Sequence, residues 1–259
     1  MPAALITGSA KRLGRAMALE LAEAGYDVAI HYAGSAEAAE ETARDARAAG
    51  VRAITLQADL LDPAAVDTLV SRAADGLGQP LTVLINNASI FEHDDIHSAT
   101  AESWTRHIDS NLRAPLFLTQ AFAAQCPKGA RDAQGEAVAS GLVVNMLDQR
   151  VRKLTPEFMT YTLAKMGLWA LTRTAAQGLA PDIRVNGIGP GPTMQGARQS
   201  AAHFAAQRAA TILERGSSPE EIRRALRFLL ESPGVTGQLL CMDGGQHLAW
   251  RTPDVLGVE

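Results

Sequence analysis

Short apolar runs alternate with segments of helical period along almost the whole chain, and that alternation restricts the possible folds more than any other feature. Residues 3–7 read as a first strand. Leu13, Met17, Leu21 and Ala24 then recur at helical spacing, with Gly25 as a stop. Strands at 27–31 and 53–57 flank a helix over 37–49 that ends at Gly50. Pro63 opens a third helix, where its missing N–H leaves no bond unmade. Further strands are predicted at 81–86, 141–146, 183–188 and 238–242, with helices at about 101–125, 157–178 and 220–231. Parallel strands need long crossovers, and helices supply them on both faces of a sheet. The pattern therefore predicts an α/β, doubly wound fold with about seven parallel strands.

Two stretches break the alternation. Residues 127–140 are polar and contain glycine, which predicts a solvated surface loop. Residues 189–218 begin Gly-Pro-Gly-Pro and turn weakly helical, the pattern of a substrate lid beyond a strand end.

The chain has 259 residues, 47% of them hydrophobic, which suffices for one large core. No linker or internal repeat divides it, so a single domain over 1–259 is expected, with a cofactor half over about 1–110 and a catalytic part over about 111–259. The net charge is -4 and no basic block is present, which argues against nucleic acid or an anionic membrane as partner. Cys126 and Cys241 stand far apart and outside any metal-ligand spacing, so free thiols, no metal and a reducing cytoplasmic setting are expected. The first strand begins at Ala3, which leaves no room for a leader, and the apolar runs are too short to span a bilayer.

Chemistry concentrates at strand ends. Thr7-Gly8-Ser9-Ala10-Lys11-Arg12-Leu13-Gly14 joins the first strand to the first helix. Glycines there permit a tight turn and let backbone N–H groups approach a pyrophosphate, which the helix N-terminus also favours. The second strand ends Ala29-Ile30-His31-Tyr32, without the carboxylate that would hold a free ribose hydroxyl and repel a 2′-phosphate; Asp27 is at the other end. Arg12, His31 and Ser35 are candidate donors to that phosphate, so NADP(H) is the expected cofactor. Tyr161 and Lys165 lie four apart on a predicted helix and share a face. A phenol of pKa about 10 is a poor acid–base group near neutrality. The neighbouring ammonium is expected to lower it.

The order of these motifs resembles that of the short-chain dehydrogenase/reductase family, with its Rossmann-type fold. The glycine loop is similar to T-G-x-x-x-G-x-G, with Arg12 in place of the middle glycine. Asn86-Asn87-Ala88 ends the fourth strand, Tyr161 to Lys165 gives Y-x-x-x-K, and Arg184-Val185-Asn186 precedes Pro190-Gly191. Asp243-Gly244-Gly245 closes the last strand. The resemblance implies a cofactor cradle of Gly8, Arg12, Leu13, Gly14, Tyr32, Ser35, Asn87, Ala88, Ser89, Met146, Tyr161, Pro190, Gly191 and Thr193, with Asp59 and Leu60 at the adenine. It also implies that Lys165 binds the nicotinamide ribose and that Asn111 supports a water relay to it. The family's dimers or tetramers imply a homo-oligomer, most simply a homotetramer, and the apolar residues over 239–250 suit subunit packing.

One position departs from that pattern. Thirteen residues before Tyr161, where the family has a serine that donates to a substrate carbonyl, stands Asp148. An ionised carboxylate accepts from a ring N–H, and a protonated one donates, which suits reduction of a C=N bond. The combination resembles the pteridine reductases and the related dihydromonapterin and dihydrofolate reductases. Those proteins share the Arg12 variant of the loop, Ser89 after Asn86-Asn87-Ala88, a carboxylate at the Asp148 position and a ring-stacking phenylalanine at Phe91. The resemblance implies hydride transfer to a dihydropterin-like ring bound by Phe91, Asp148, Tyr161 and Arg12. Gly34 stands near where some of these proteins carry an arginine. The alternatives are a carbonyl reductase of the same family, with Thr155 replacing the absent serine, and a non-catalytic NADP-binding sensor.

Overall fold

Seven parallel strands form one sheet in the computed structural model, which describes residues 1–196 and 199–251. In chain order the strands are β1 (Ala3–Ile6), β2 (Asp27–Tyr32), β3 (Ala53–Gln57), β4 (Val83–Asn86), β5 (Ala130–Arg131), β6 (Ala137–Val138), β7 (Gly141–Met146), β8 (Ile183–Pro190) and β9 (Leu239–Met242). The sheet runs β3-β2-β1-β4-β7-β8-β9. Connections turn back after β3 to place β4 on the far side of β1, which opens a crevice beyond the carboxyl ends of β1 and β4.

The helices are α1 (Arg12–Glu23), α2 (Ala36–Ala48), α3 (Pro63–Leu77), α4 (Ala101–Ile108), α5 (Ala114–Gln125), α6 (Met159–Leu179), α7 (Ala201–Ala209) and α8 (Pro219–Glu231). Successive side chains of a strand point to opposite faces, so a sheet covered on both sides needs apolar residues throughout. Ile6, Ile30, Ile85 and Val144 pack with Met17, Leu21 and Leu226 on one face. Leu5, Leu84, Val143 and Val185 pack with Leu69, Leu118 and Phe122 on the other. Pro63 begins α3 as expected, capped by Asp62, whose Oδ1 accepts from the Ala64 N–H at 2.9 Å.

Local chemistry explains the differences from the sequence reading. The helical path over 101–125 contains a π turn, Asp109–Arg113, between α4 and α5. Pro115 lacks the N–H that an α-helix would direct at the Asn111 carbonyl, and its ring crowds that carbonyl. The polar stretch over 127–140 holds the β5–β6 hairpin, because Asp132 Oδ1 accepts from the N–H groups of Gln134 and Glu136 and Gly135 turns at φ 83°. α6 starts at Met159 because Phe158 is left-handed, at φ 57°. β8 continues to Pro190, paired with Met242 of β9. The stretch over 189–218 contains α7, and residues 197 and 198 within it lie outside the described residues. Among the described residues, no helix is long and apolar enough to cross a membrane.

Candidate active site

The loop after β1 is built for close approach. Gly8 has φ +61°, and a Cβ there would lie 2.9 Å from Ala88 Cα. A Cβ at Gly14 would come within 2.3 Å of the Gly8 carbonyl. Asn87 Nδ2 donates to the carbonyls of Thr7 and Gly8 at 2.8 and 3.0 Å, and Thr7 Oγ1 accepts from the N–H groups of Asn87 and Ala88. The loops after β1 and β4 are thus locked together around a cavity of about 510 Å³. Gly8, Arg12, Leu13 and Gly14 line it from the first loop, and Tyr32 and Ser35 from the end of β2. Asn87, Ala88 and Ser89 line it after β4, and Pro190, Gly191 and Thr193 at the end of β8 and beyond.

This cavity has the chemistry of an anion site. Neither Lys11 nor Ser35, the residues preceding α1 and α2, caps its helix with a side chain, and the first turn of α1 holds no acid. Lys11 and Arg12 line the cavity and, among the described residues, no carboxylate does. Exposed helical N–H groups and unopposed cations favour phosphate. The cradle therefore fits a phosphorylated dinucleotide.

Several residues expected at the cofactor stand elsewhere. His31 is 1% exposed, and both ring nitrogens are engaged: Nδ1 accepts from the Gly8 N–H at 2.9 Å and Nε2 meets the Ala58 carbonyl at 3.1 Å. That pattern is a neutral ring with its proton on Nε2. Burial lowers its pKa to about 4. His31 is thus a strut beneath the glycine loop and not a phosphate donor. Leu60 is buried, and Asp59 Oδ1 accepts from the Leu61 N–H; neither lines the cavity.

Arg12 lies between this cavity and a second one of about 840 Å³. Its backbone sits at φ 56°, where a residue with a Cβ incurs roughly 1–2 kcal/mol, at the position where the family loop has glycine. Its guanidinium donates to the carbonyls of Gln195 at 2.9 Å and Met194 at 3.3 Å. The glycine loop is thereby tied to the stretch predicted as a lid.

Asp148 lines the second cavity, and the buried Tyr161 and Lys165 lie behind it. β7 ends at Met146, and two residues later Asp148 caps the 3-10 turn Gln149–Val151, its Oδ1 accepting from the Arg150 N–H at 2.8 Å. The first turn of α6 brings Tyr161 alongside, and its hydroxyl donates to Asp148 Oδ2 at 3.0 Å. Lys165, one turn on, donates to the Met146 carbonyl at 2.7 Å, its Nζ 5.6 Å from the Tyr161 ring centre. Met146 thus meets Lys165 through its carbonyl and does not line the dinucleotide cavity.

Electrostatics here reverse one expectation. Burial raises the pKa of Tyr161 well above 10, and the negative charge of Asp148 adds to the effect. Burial likewise raises the pKa of Asp148, against the Arg150 N–H and charge that lower it. Burial lowers Lys165 to about 8. The phenol is thus held as a proton donor, because burial and the carboxylate it touches both disfavour its ionised form. The Ser89 hydroxyl acts on the phenol in the opposite, acidifying sense.

Phe91 is half exposed, stacked on Phe158 at 4.3 Å and 6°, with Tyr161 edge-on at 4.7 Å. The chain on either side of it is pinned. Asn111 takes the Ile90 N–H on Oδ1 and donates Nδ2 to the Ile90 carbonyl, both at 2.9 Å, and His107 Nε2 accepts from the Glu92 N–H at 3.1 Å. The side-chain bonds of Asn111 go to Ile90 and not to Lys165. Thr155 lines the cavity, but its hydroxyl accepts from Arg150 at 2.6 Å and makes no bond to Tyr161. The sequence reading missed His107, Phe158, Gln149 and Arg150. Only His107 carried a signal, its spacing of four from Asn111 on one helical path.

Comparison with known proteins agrees with this geometry. A family model described as enoyl-(acyl carrier protein) reductase matches residues 8–247. The 3-oxoacyl-[acyl-carrier-protein] reductase FabG of Staphylococcus aureus is 30% identical over 250 residues, 95% of this chain and 98% of its own. A putative ketoacyl reductase of the granaticin polyketide synthase of Streptomyces violaceoruber is 33% identical over 254 residues, 95% of this chain and 96% of its own. The crystal structure of FolM alternative dihydrofolate reductase 1 from Brucella suis, in complex with NADP, superposes with a TM-score of 0.90 at 41% identity, covering 98% of each chain. The fold, the glycine loop, the Tyr161–Lys165 pair and these matches together place the chain in the short-chain dehydrogenase/reductase family of oxidoreductases.

Proposed function

We propose that the protein is an NADPH-dependent reductase of a pterin-type ring, related in activity to the dihydrofolate reductase it resembles at 41% identity. The observation that carries this reading is the Tyr161–Asp148 hydrogen bond at 3.0 Å beside the half-exposed ring of Phe91. A ketone substrate wants a neutral hydroxyl donor at the Asp148 position, whereas a ring nitrogen beside N–H groups suits a carboxyl that accepts as well as donates. Phe91 offers a flat apolar face to a heterocycle.

Gly8, Arg12, Gly14, Ser35 and Asn87 would hold the dinucleotide, with Lys165 at the ribose beside the nicotinamide. When bound, the cofactor supplies a hydride to a ring carbon. Tyr161 keeps a proton at its hydroxyl and releases it to the ring nitrogen, and Asp148 orients that proton and takes part in replacing it. Asn111 serves by fixing Ile90, next to Phe91. Leu248 and Trp250, both more than half exposed, are the residues we assign to contact between subunits.

The test is NADPH oxidation measured with dihydrobiopterin and dihydrofolate against acetoacetyl thioesters and activated ketones. Faster turnover of the pterins by at least about tenfold in kcat/KM supports the reading. Thr155 on the cavity wall and the 30% identity to 3-oxoacyl reductases favour the second reading, a ketoreductase, and preference for the thioester would establish that instead.

A further inference from the structure

Helix α6, which carries Tyr161, is capped from outside. Phe158, just before its first turn, is left-handed at φ 57° and has no side-chain acceptor. The first N–H groups of a helix need partners, and a buried one without a partner is costly. Asp94, from the loop after β4, provides both. Its carbonyl accepts from the Met159 N–H at 3.2 Å, and its Oδ1 from the Thr160 N–H at 3.1 Å. Its Oδ2 accepts from the Thr160 hydroxyl and, at 2.9 Å, from the Ser103 hydroxyl.

A second link runs through His107. Its Nε2 accepts the Glu92 N–H, so that nitrogen bears no proton, and a neutral ring then carries it on Nδ1. Nδ1 donates to Thr160 Oγ1 at 2.7 Å, and Thr160 in turn donates to Asp94. The hydrogen bonds therefore run one way, His107 to Thr160 to Asp94. Asp94, His107 and Thr160 are all buried. Tyr161 follows Thr160 directly, and its ring stands between His107, 5.9 Å away at 74°, and Phe91.

We propose that Asp94 is a positioning residue for Tyr161. It anchors the first turn of the catalytic helix and, through Thr160 and His107, couples that turn to the segment carrying Phe91. The phenol and the aromatic platform are thereby held in one register. The inference rests on the reading of Tyr161 as proton donor.

Asp94→Ala, Asp94→Asn and Thr160→Val are compared with the native enzyme, with Tyr161→Phe as the control for that reading. The readouts are kcat, KM and NADPH affinity with dihydrobiopterin, or with an activated ketone if the pterin is not reduced. Asp94→Ala is expected to lower kcat by about ten- to a hundredfold, with KM and NADPH affinity changed by less than about twofold. Asp94→Asn keeps an acceptor for the Thr160 N–H and regains part of that loss. Thr160→Val keeps both backbone bonds and decides the matter should Asp94→Ala fail to fold; it is expected to lower kcat about three- to tenfold at unchanged KM. A kcat within about twofold of native for Thr160→Val and Asp94→Ala overturns the proposal, as does a loss confined to NADPH affinity. Full activity in Tyr161→Phe would instead overturn the assignment of the proton donor.

Discussion

Tyr161 and Asp148 share a hydrogen bond of 3.0 Å, with the phenol as donor and the carboxylate as acceptor. Burial raises the pKa of both, and the charge of Asp148 raises that of the phenol further, whereas the hydrogen bond the phenol donates acts to lower that of the carboxyl. The proton is consequently retained on the pair at neutral pH, where a reductase needs one to give.

Removal of either member should separate chemistry from binding. Tyr161→Phe and Asp148→Ser are each expected to lower kcat for a dihydropterin by about a hundredfold or more. NADPH affinity should stay within about twofold, because neither side chain lines the dinucleotide cavity. Stopped-flow turnover with fluorescence titration of NADPH measures both. An Asp148→Ser variant with native pterin turnover would remove the carboxyl from the mechanism.

The alkaline limb of activity should report Lys165. Burial lowers its folded pKa to about 8, so its ammonium is complete below that pH and lost above it. The kcat/KM of the free enzyme is expected to fall as pH rises through about 8, and Lys165→Arg, less active but permanently charged, should lose that limb. A profile flat to pH 10 in the native enzyme would count against a role for the charge.

Acid stability should depend on His31. Its folded pKa of about 4 lies below the unfolded value of 6.5, so between those values the unfolded chain binds the proton and the folded one does not. Stability is therefore full above pH 6.5 and falls as the pH drops toward 4, by about 3 kcal/mol in all and about 2 kcal/mol by pH 5. Urea unfolding at pH 7.5 and 5.0 should show that loss in the native protein and a smaller one in His31→Gln. Equal losses would place the acid sensitivity in other groups.

Gly14→Ala tests the dinucleotide cradle. Its added methyl would meet the Gly8 carbonyl at 2.3 Å and Asn87 Nδ2 at 2.6 Å, so the glycine loop must shift. A stability loss of about 1–3 kcal/mol and at least tenfold weaker NADPH binding are expected, roughly 1.4 kcal/mol in affinity. Unchanged NADPH affinity in a folded variant would show that the loop does not hold the cofactor.

Local periodicity is what a linear chain expresses most directly. The β–α alternation, the helix start at Pro63, the glycines at 8 and 14, and the spacing of four between Tyr161 and Lys165 were all legible, because each is a short-range rule of backbone geometry. Asp148 was legible as a departure from a family pattern, and the structure sets it against the phenol. The tertiary structure alone decided which groups partner one another across the sheet. His31 had the residue type of a phosphate donor, but its ring is claimed by Gly8 and Ala58, which the fold brings to either side of it. The acidity of Tyr161 likewise depends on burial and on a carboxylate from another loop. Asp94, His107 and Phe158 came together only when β4, α4 and α6 packed, since the energy of a buried polar contact depends on distances that spacing along the chain does not encode.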